Sequence, residues 1–411
     1  MTDIAENRSK PTTYLYALFG ICFLGGVFGG ITATLMSSYL PDVVKALIGN
    51  TDQEKMEQVS AVINAVFLFG MTLGGLSLGD FCDHFGRKKA VLASLVFIGL
   101  FTLLTSFSQS WLLVVAFRFF TGFGVGGILV TTAILIAEEW TDQKRNIALG
   151  ILFITFPVGI FSTGVITYNF TDWRSGFLSG IFPILLAIAG QFFIKESEKW
   201  NRDREAQPNS QQRQNSIFQQ ENAYDLLYGS IIYGAMLIGL WAVLSWLPTW
   251  IETIVKDSEG QQARGISMML FAGGGLLGGF ISGWVSNLLG MKKTTLICFA
   301  ATFALSMALF QLNTGLSIFS YIEIALIALF FGLSQGVLNA YIPALFPTRI
   351  RTTATGFCFN IGRVFTASAV FFVGWLVNFL GGYGNALTIF SFVFLLGFLV
   401  TLRVKEKQLV Q

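Results

Sequence analysis

The chain has 411 residues, of which 54% are hydrophobic and 12% are charged, and its formal net charge is +3 at pH 7. A mean hydropathy of +0.66 is too high for a soluble protein of this length and indicates a protein that spans a lipid bilayer. The small positive charge gives no reason to expect a nucleic-acid partner. One histidine and four cysteines, without metal-ligand spacing, predict free thiols and neither a metal site nor a cofactor.

Twelve apolar runs have about the 20 residues that a helix needs to cross roughly 30 Å of hydrocarbon. They are unbroken blocks, and so exclude the alternating strands of a membrane β-barrel. The first run is too long for a signal-peptide core and lacks a small-residue cleavage site, which identifies it as the first membrane helix. The sequence therefore predicts an all-α integral membrane protein with twelve transmembrane helices. The centres of the runs are near Gly26, Phe69, Ile98, Ile128, Val158, Leu185, Gly239, Gly274, Thr302, Leu329, Val364 and Val393.

Basic residues are distributed unevenly between the two sets of turns. If the N-terminus is cytoplasmic, 19 of the 26 Lys and Arg residues lie on the cytoplasmic side and 5 on the other. The remaining two, Arg118 and Arg363, lie inside hydrophobic runs. Because basic residues are retained on the cytoplasmic side of a membrane, both termini are predicted to be cytoplasmic.

The chain contains an internal duplication. Gly79 and Gly86, which flank the turn after the second helix, recur 204 residues later as Gly283 and Gly290. The preceding glycine stripe recurs at the same offset, which predicts two parallel repeats. We expect an N-terminal six-helix bundle over residues 1–194, a polar cytoplasmic linker over 195–224 and a C-terminal six-helix bundle over 225–411. Acidic loops from Asp42 to Glu57 and from Glu252 to Arg264 are expected after the first and seventh helices.

The segment from Gly79 to Lys89 resembles the cytoplasmic signature between helices two and three of the major facilitator superfamily of secondary transporters. Arg118 and the glycines after it resemble the fourth-helix pattern of that superfamily. Four further segments resemble its sugar, organic-ion, metabolite and aromatic-acid proton symporter branches: Glu138 to Arg145, Ala344 to Arg351, Lys195 to Trp200 and Trp246 to Trp250. The segment from Phe357 to Arg363 resembles the eleventh-helix pattern of those symporters and of organic-anion carriers. The resemblance implies two pseudo-symmetric bundles, the major facilitator fold, that rock about a central site.

Asp83 and Arg87 are four residues apart, close enough for one helical face or a tight turn. The resemblance implies that this cluster latches the two halves together in the outward-open state, with Asp83 supplying the charge. The alternative is that Arg87 and its basic neighbours only set the membrane topology. The second copy has Asn287 and Met291 at these positions, which predicts a weaker latch. Glu138, Arg145 and Arg351 are candidates for the same gating and coupling role.

Arg363 is expected near mid-membrane, where a cation is costly unless a carboxylate, carbonyl groups or water compensate it. No acidic residue is close to it in the run, so its counter-ion could be a substrate carboxylate held in a bidentate contact. Alternatively, carbonyl groups or Asn360 could satisfy it. Arg118 is expected nearer the outer end and within reach of water, with a coupling role or a hydrogen bond to the first helix. Glu323, the single acid predicted within a run, is expected to be exposed at the interface.

Amide and aromatic side chains in central helices can bind a small polar or aromatic solute, although most individual aromatic residues must face lipid or pack inside the bundle. The candidates for substrate binding, besides Arg363, are Asn64, Tyr233, Trp241, Trp246, Gln335, Asn339 and Asn360.

These features predict a secondary active transporter that takes up a small organic anion, an aromatic or other monocarboxylate, across a bacterial cytoplasmic membrane. Proton coupling stays open, because the first helix has no acid between Gly26 and Pro41. The alternatives are a sugar or neutral-metabolite carrier, a multidrug exporter, and a transporter-like receptor. Enzyme activity is not expected, since the chain has no phosphate-binding loop or zinc-protease motif. The expected partners are membrane lipids and a small-molecule substrate, and the expected functional unit is a monomer.

Overall fold

The computed structural model describes residues 12–49, 53–140, 142–198, 200–201, 222–255, 260–347 and 350–404. These residues contain twelve helices that are long and apolar enough to cross a membrane, and no strand. The prediction of an all-α protein with twelve transmembrane helices is confirmed.

The first six helices, called the N-half, are α1 (Thr12–Ile48), α2 (Gln53–Phe85), α3 (Arg87–Ser106), α4 (Trp111–Glu139), α5 in two segments (Asp142–Phe153 and Thr155–Asn169), and α6, which runs from Trp173–Phe177 through a 3₁₀ turn to Ile181–Phe193. The last six, called the C-half, are α7 (Ala223–Ile254), α8 (Gly260–Leu289), α9 (Met291–Leu312), α10 (Ile318–Ala344), α11 (Arg351–Leu380) and α12 (Tyr383–Arg403). An even number of spans puts the start of α1 and the end of α12 at one end of the molecule. We call this end the termini face and the opposite end the far face.

The duplication seen in the sequence is also present in the backbone. Gly86 separates α2 from α3 with a φ of +110°, and Gly290 separates α8 from α9 with a φ of +84°. Both values lie in a region that glycine adopts far more readily than other residues. The two glycines therefore permit the same sharp turn in each half.

Glycines also allow backbones to pack closely within each half. A Cβ atom at Gly74 of α2 would overlap the carbonyl oxygen of Phe123 in α4, and one at Gly278 of α8 would overlap that of Leu329 in α10. Gly74 and Gly278 are related by the 204-residue offset. The glycine stripe therefore serves helix packing, as small residues do in membrane proteins.

The two acidic loops predicted after the first and seventh helices are largely helical, so those predictions were wrong. Helix α1 continues to Ile48 and α2 begins at Gln53, while α7 continues to Ile254 and α8 begins at Gly260. Hydropathy marks only the length that crosses hydrocarbon, whereas α1 alone has 37 residues. The charged residues at these helix ends are thus held in ordered structure.

The two halves pack together mainly through three pairs of helices in the described part of the chain, and α1 also contacts α8. Helix α1 contacts α7, α2 contacts α11, and α5 contacts α8. The boundaries proposed for the two bundles stay a prediction, and residues 202–221 of the proposed linker lie outside the described residues.

Candidate functional site

Arg363 lies in α11 where this helix packs against α2 of the N-half. Its side chain is half-buried, and its Nη1 atom is 3.6 Å from the point where a Cβ atom would stand at Gly75. The guanidinium of Arg363 therefore lies against α2 at Gly75. Among the residues that the structure describes, Arg363 makes no hydrogen bond and no ion pair.

An aromatic pair lies beside Arg363 on the C-half side. The buried ring of Tyr233 in α7 stacks on Phe359 of α11 with ring centroids 4.0 Å apart. Tyr233 is also close enough to Arg363 for an electrostatic interaction. A close approach supports the pair, since a Cβ atom at Gly362 would be 3.2 Å from the Cα atom of Gly234. Arg363 and Tyr233, both predicted site residues, are therefore brought together.

The amide candidates are distributed differently. Asn360 is half-buried and donates to the carbonyl oxygen of Gly356 in its own helix at 2.9 Å, and no hydrogen bond to Arg363 is present. Gln335 of α10 is also half-buried, and its Nε2 atom is buried without a hydrogen bond to any described residue. Asn339, one turn further along α10, is exposed. Of these three, Asn360 is nearest to Arg363 along the chain.

The remaining candidates lie closer to the far face, and two of them, Asn64 and Trp241, join the two halves. Asn64 of α2 donates to the carbonyl oxygen of Ser245 in α7 at 3.3 Å. Trp241 of α7 packs against Phe67 of α2, with ring centroids 6.3 Å apart. Trp246 is fully buried and packs on Tyr383. These side chains form a polar and aromatic layer beyond Arg363.

Arg118 is not accessible to water, contrary to expectation. Its side chain is only 1% exposed, its Nη1 donates to the carbonyl oxygen of Thr32 in α1 at 2.8 Å, and its Cζ lies 4.1 Å from the ring centroid of Phe67. Helices α1 and α2 pack over this part of α4 and cover Arg118. The expectation was based on the distance of Arg118 from the end of α4, which carries no information about this packing. The hydrogen bond to the first helix, one of the two alternatives, is present.

Arg87 has Glu138 as its main partner. Its Nε is 3.0 Å from both carboxylate oxygens of Glu138, and the two side chains are 11% and 10% exposed. Its Nη1 is 3.2 Å from Asp83, which is 66% exposed, and donates to the carbonyl oxygen of Cys82. The expected proximity of Asp83 and Arg87 is confirmed. In this conformation the buried partner is Glu138, at the end of α4 in the same half.

Glu196 completes this cluster and was not predicted as a site residue. One of its carboxylate oxygens accepts the backbone N–H groups of Arg87 at 2.6 Å and Lys88 at 3.2 Å. A carboxylate at a helix N-terminus is stabilised by the unsatisfied N–H groups and by the helix dipole. Trp200 donates from Nε1 to the carbonyl oxygen of Asp83 at 2.7 Å. The signal was the family resemblance of Lys195 to Trp200, which indicated a motif but no contact.

The other gating candidates are separate from Arg363. Arg351 begins α11 and donates from Nε to the carbonyl oxygen of Phe346 at 3.2 Å. Arg145 is half-buried near the start of α5. Glu323 is half-buried and accepts from Asn313 at 2.8 Å, which stabilises the turn between α9 and α10 at the far face.

Two charged residues that were assigned to loops are buried in helices. Glu57 of α2 is 4% exposed and Arg264 of α8 is 2% exposed. The prediction that Glu323 is the single acid within a span was therefore wrong. Both residues are near helix ends, where a hydropathy window cannot separate an exposed charge from one covered by the other half.

The profile described as Major Facilitator Superfamily matches residues 23–367. A probable 4-methylmuconolactone transporter of Cupriavidus pinatubonensis is 26% identical over 391 residues, which cover 91% of this chain and 86% of the relative. The cis,cis-muconate transport protein of Acinetobacter baylyi is 26% identical over 98% of both chains. A 4-hydroxybenzoate transporter of Pseudomonas aeruginosa is 24% identical, over 87% of this chain and 85% of the relative.

Solved structures agree on the fold. The crystal structure of a D-xylose-proton symporter matches with a TM-score of 0.77 at 18% identity, over 95% of this chain and 97% of that chain. The inward-open xylose transporter of E. coli matches with a TM-score of 0.74 at 18% identity, over 96% and 98% of the two chains. The predicted arrangement of two six-helix bundles is confirmed. With a family match that spans most of its length, a duplicated twelve-helix fold and transporters as its relatives, the chain belongs to the Major Facilitator Superfamily and is a membrane-spanning secondary transporter, not an enzyme.

Proposed function

We propose that this protein takes up a small organic anion, an aromatic or other monocarboxylate, and that Arg363 binds the carboxylate. The observation that carries the proposal is the absence of any hydrogen bond or ion pair from Arg363 to the described residues, in a helix that packs against the other half. A cation inside a membrane helix is costly without compensation. A planar guanidinium suits a bidentate carboxylate, so the bound substrate supplies the missing counter-ion.

The three arginines that are buried in the described part of the chain, unlike the half-buried Arg363, support a substrate with one negative charge. Arg118 is bonded to a backbone carbonyl of α1, Arg87 to Glu138 and Arg264 to Asp42. Away from the helix ends, this leaves Arg363 as the arginine of the described spans that is available to an anion. Two charges on one substrate would leave the second carboxylate without a cation, which is costly in a site of low dielectric constant.

An aromatic body for the substrate is supported by the surroundings of Arg363. The stacked rings of Tyr233 and Phe359 lie beside it, and Trp241 and Phe67 lie further toward the far face. Aromatic faces and edges pack favourably on a planar ring. The similarity to a 4-hydroxybenzoate transporter is consistent with this class of substrate.

Transport is proposed to proceed by rocking of the two halves about this site. We assign gating and coupling roles to Asp83, Arg87, Arg118, Glu138, Arg145, Arg351 and Glu323. Asp83 is mostly exposed and is therefore available to the C-half when the termini face closes. The accessory binding residues are Asn64, Tyr233, Trp241, Trp246, Gln335, Asn339 and Asn360.

The proposed location is a bacterial cytoplasmic membrane, with the termini face in the cytoplasm. The excess of basic residues in the turns on that face supports this orientation. The proposal includes a functional monomer surrounded by lipid, with protons as the coupling ion. A protonophore that abolishes accumulation in vesicles, while leaving exchange of substrate intact, is the expected result for proton coupling.

The test of the substrate class is a thermal-shift screen of the purified protein with 4-hydroxybenzoate, xylose and a lipophilic amine, followed by counterflow in proteoliposomes. Ligand binding to the folded state raises the apparent stability, so 4-hydroxybenzoate or a related carboxylate is expected to stabilise the wild type. It should not stabilise Arg363→Ala, whereas the matched variant Arg403→Ala, at the exposed end of α12, should respond like the wild type.

Three results would contradict the proposal. Stabilisation by xylose that survives Arg363→Ala would favour a sugar carrier, and stabilisation by the amine would favour a drug exporter. Binding without counterflow would favour a receptor, because accumulation of labelled substrate against an unlabelled internal pool requires alternating access.

A further inference from the structure

Arg264, near the start of α8, connects the two halves at the far face. Its side chain is 2% exposed, and its Nη2 is 2.8 Å from the Oδ2 atom of Asp42 in α1. Asp42 belongs to the N-half and Arg264 to the C-half. The ion pair can therefore persist only while α1 and α8 remain together at this end of the molecule.

A second carboxylate contacts Arg264 from its own half. The Oε2 atom of Glu252, near the end of α7, is 3.5 Å from the Nε atom of Arg264, and Glu252 is 42% exposed. This is an ion-pair distance without a hydrogen bond, since Nε and Nη1 of Arg264 are buried and make no hydrogen bond to a described residue. The Nε–H group of Arg264, which makes no hydrogen bond to a described residue, can therefore donate to Glu252 if this carboxylate moves closer.

Two further contacts hold α8 against α5 at the same face. Gln261 of α8 donates from Nε2 to the carbonyl oxygens of Thr167, at 2.9 Å, and Phe170 at the end of α5. The backbones also touch, because a Cβ atom at Gly164 of α5 would be 2.6 Å from the carbonyl oxygen of Gly265 in α8. Opening the far face must separate all of these groups.

Separation of α8 from α1 would leave Arg264 without Asp42. A buried guanidinium that loses its single close partner is strongly destabilised, which would hold the far face shut. Glu252 moves with Arg264, because α7 and α8 belong to the same half. Glycine at position 260 leaves room for this carboxylate, as a Cβ atom there would be 2.9 Å from Oε2 of Glu252.

We propose that Arg264 is the gating residue of the far face, paired with Asp42 when this face is closed and with Glu252 when it is open. The exchange of partners keeps the Arg264 guanidinium paired with a carboxylate in both states. The free energies of the closed and the open far face are therefore close together. The inference rests on alternating access and is independent of the substrate that Arg363 binds. It differs from a static ion pair in one respect: the two carboxylates favour opposite states.

The experiment measures the distance between spin labels at Gln109→Cys and Thr314→Cys by double electron–electron resonance, in lipid nanodiscs without substrate. Both positions are exposed on far-face turns, one in each half, and the native cysteines are buried and so protected from labelling. Asp42→Asn is expected to raise the ratio of open to closed far face by about fivefold or more, the lower end of typical coupling between states. Adding Glu252→Gln to Asp42→Asn should shift the ratio back toward closed.

Glu54→Gln is the matched control, because Glu54 is an exposed acid at the same face and should leave the distances unchanged. Gly164→Ala should open the face by steric overlap and shows that the labels detect opening. In an Arg264→Gln background, Glu252→Gln should have no further effect, as a double-mutant cycle requires when the two residues act together.

The proposal is overturned if Asp42→Asn leaves the distance distribution unchanged while Gly164→Ala changes it, or if Glu252→Gln opens the face as Asp42→Asn does. An Arg264→Gln protein that fails to fold would be recognised by its thermal unfolding, and Arg264→Lys would then replace it. The lysine side chain keeps the charge but lacks the planar fork, so the closed state should weaken without being lost. Because no substrate is present, none of these results depends on Arg363.

Discussion

The contacts of Arg87 at the termini face predict that Glu138, and not Asp83, is the carboxylate that stabilises the fold of the N-half. The change is Glu138→Gln, compared with Asp83→Asn. Glu138 accepts three hydrogen bonds from Arg87 at 2.8–3.0 Å, and both side chains are about nine-tenths buried. Asp83 has a single contact at 3.2 Å and is 66% exposed.

The expected magnitudes follow from this difference in exposure. Removing one partner of a buried ion pair typically costs about 3–5 kcal/mol, because the other charge stays buried and uncompensated. In this protein Asp83 and the carbonyl oxygen of Cys82 remain in contact with Arg87 and offset part of the loss, so about 2 kcal/mol is expected for Glu138→Gln. An exposed pair contributes less than about 1 kcal/mol, which is the expected cost of Asp83→Asn.

The assay is unfolding of the purified protein in mixed micelles with increasing sodium dodecyl sulfate, followed by loss of helical circular dichroism. Asp80→Asn is the matched control, since Asp80 lies in the same turn, is exposed, and pairs only with His84 at 3.5 Å among the described residues. The unfolding midpoint of Asp80→Asn should equal that of the wild type. A cost for Asp83→Asn equal to or greater than that for Glu138→Gln would refute the reasoning from burial.

Three further predictions concern other parts of the molecule. Gly86→Ala should destabilise the fold more than Gly290→Ala in the same unfolding assay. Both glycines have positive φ, a strain of about 1–3 kcal/mol for another residue, but only at Gly86 would the new methyl group overlap Glu196. Arg118→Met should change the free energy of unfolding by less than about 1 kcal/mol, because Arg118 pairs with no carboxylate of the described residues that would be left uncompensated; a much larger loss would contradict this reasoning. Arg363→Lys should raise the KM for carboxylate uptake about tenfold, since one bidentate contact is lost while the charge remains, and an unchanged KM would argue against a bidentate clamp.

The sequence alone determined the membrane helices, the repeated turn and the candidate role of Arg363, because each depends on interactions that are local along the chain. A run of apolar residues must form a helix in lipid, where every backbone polar group needs an internal partner. The 204-residue repeat of Gly86 as Gly290 therefore implied the same turn in both halves. A cation in a membrane helix is unfavourable wherever that helix packs, so Arg363 was identifiable as a candidate site before its neighbours were known.

The tertiary structure decided which charged groups meet. Arg87 lies four residues from Asp83 but has Glu138, 51 positions away, as its buried partner. Arg118 was expected to be reached by water and is covered by α1, while Arg264 was assigned to a loop and pairs with Asp42 across 222 positions. Hydropathy depends on neighbours along the chain, whereas the burial and the pairing of a charge depend on helices that come together only when the two halves pack.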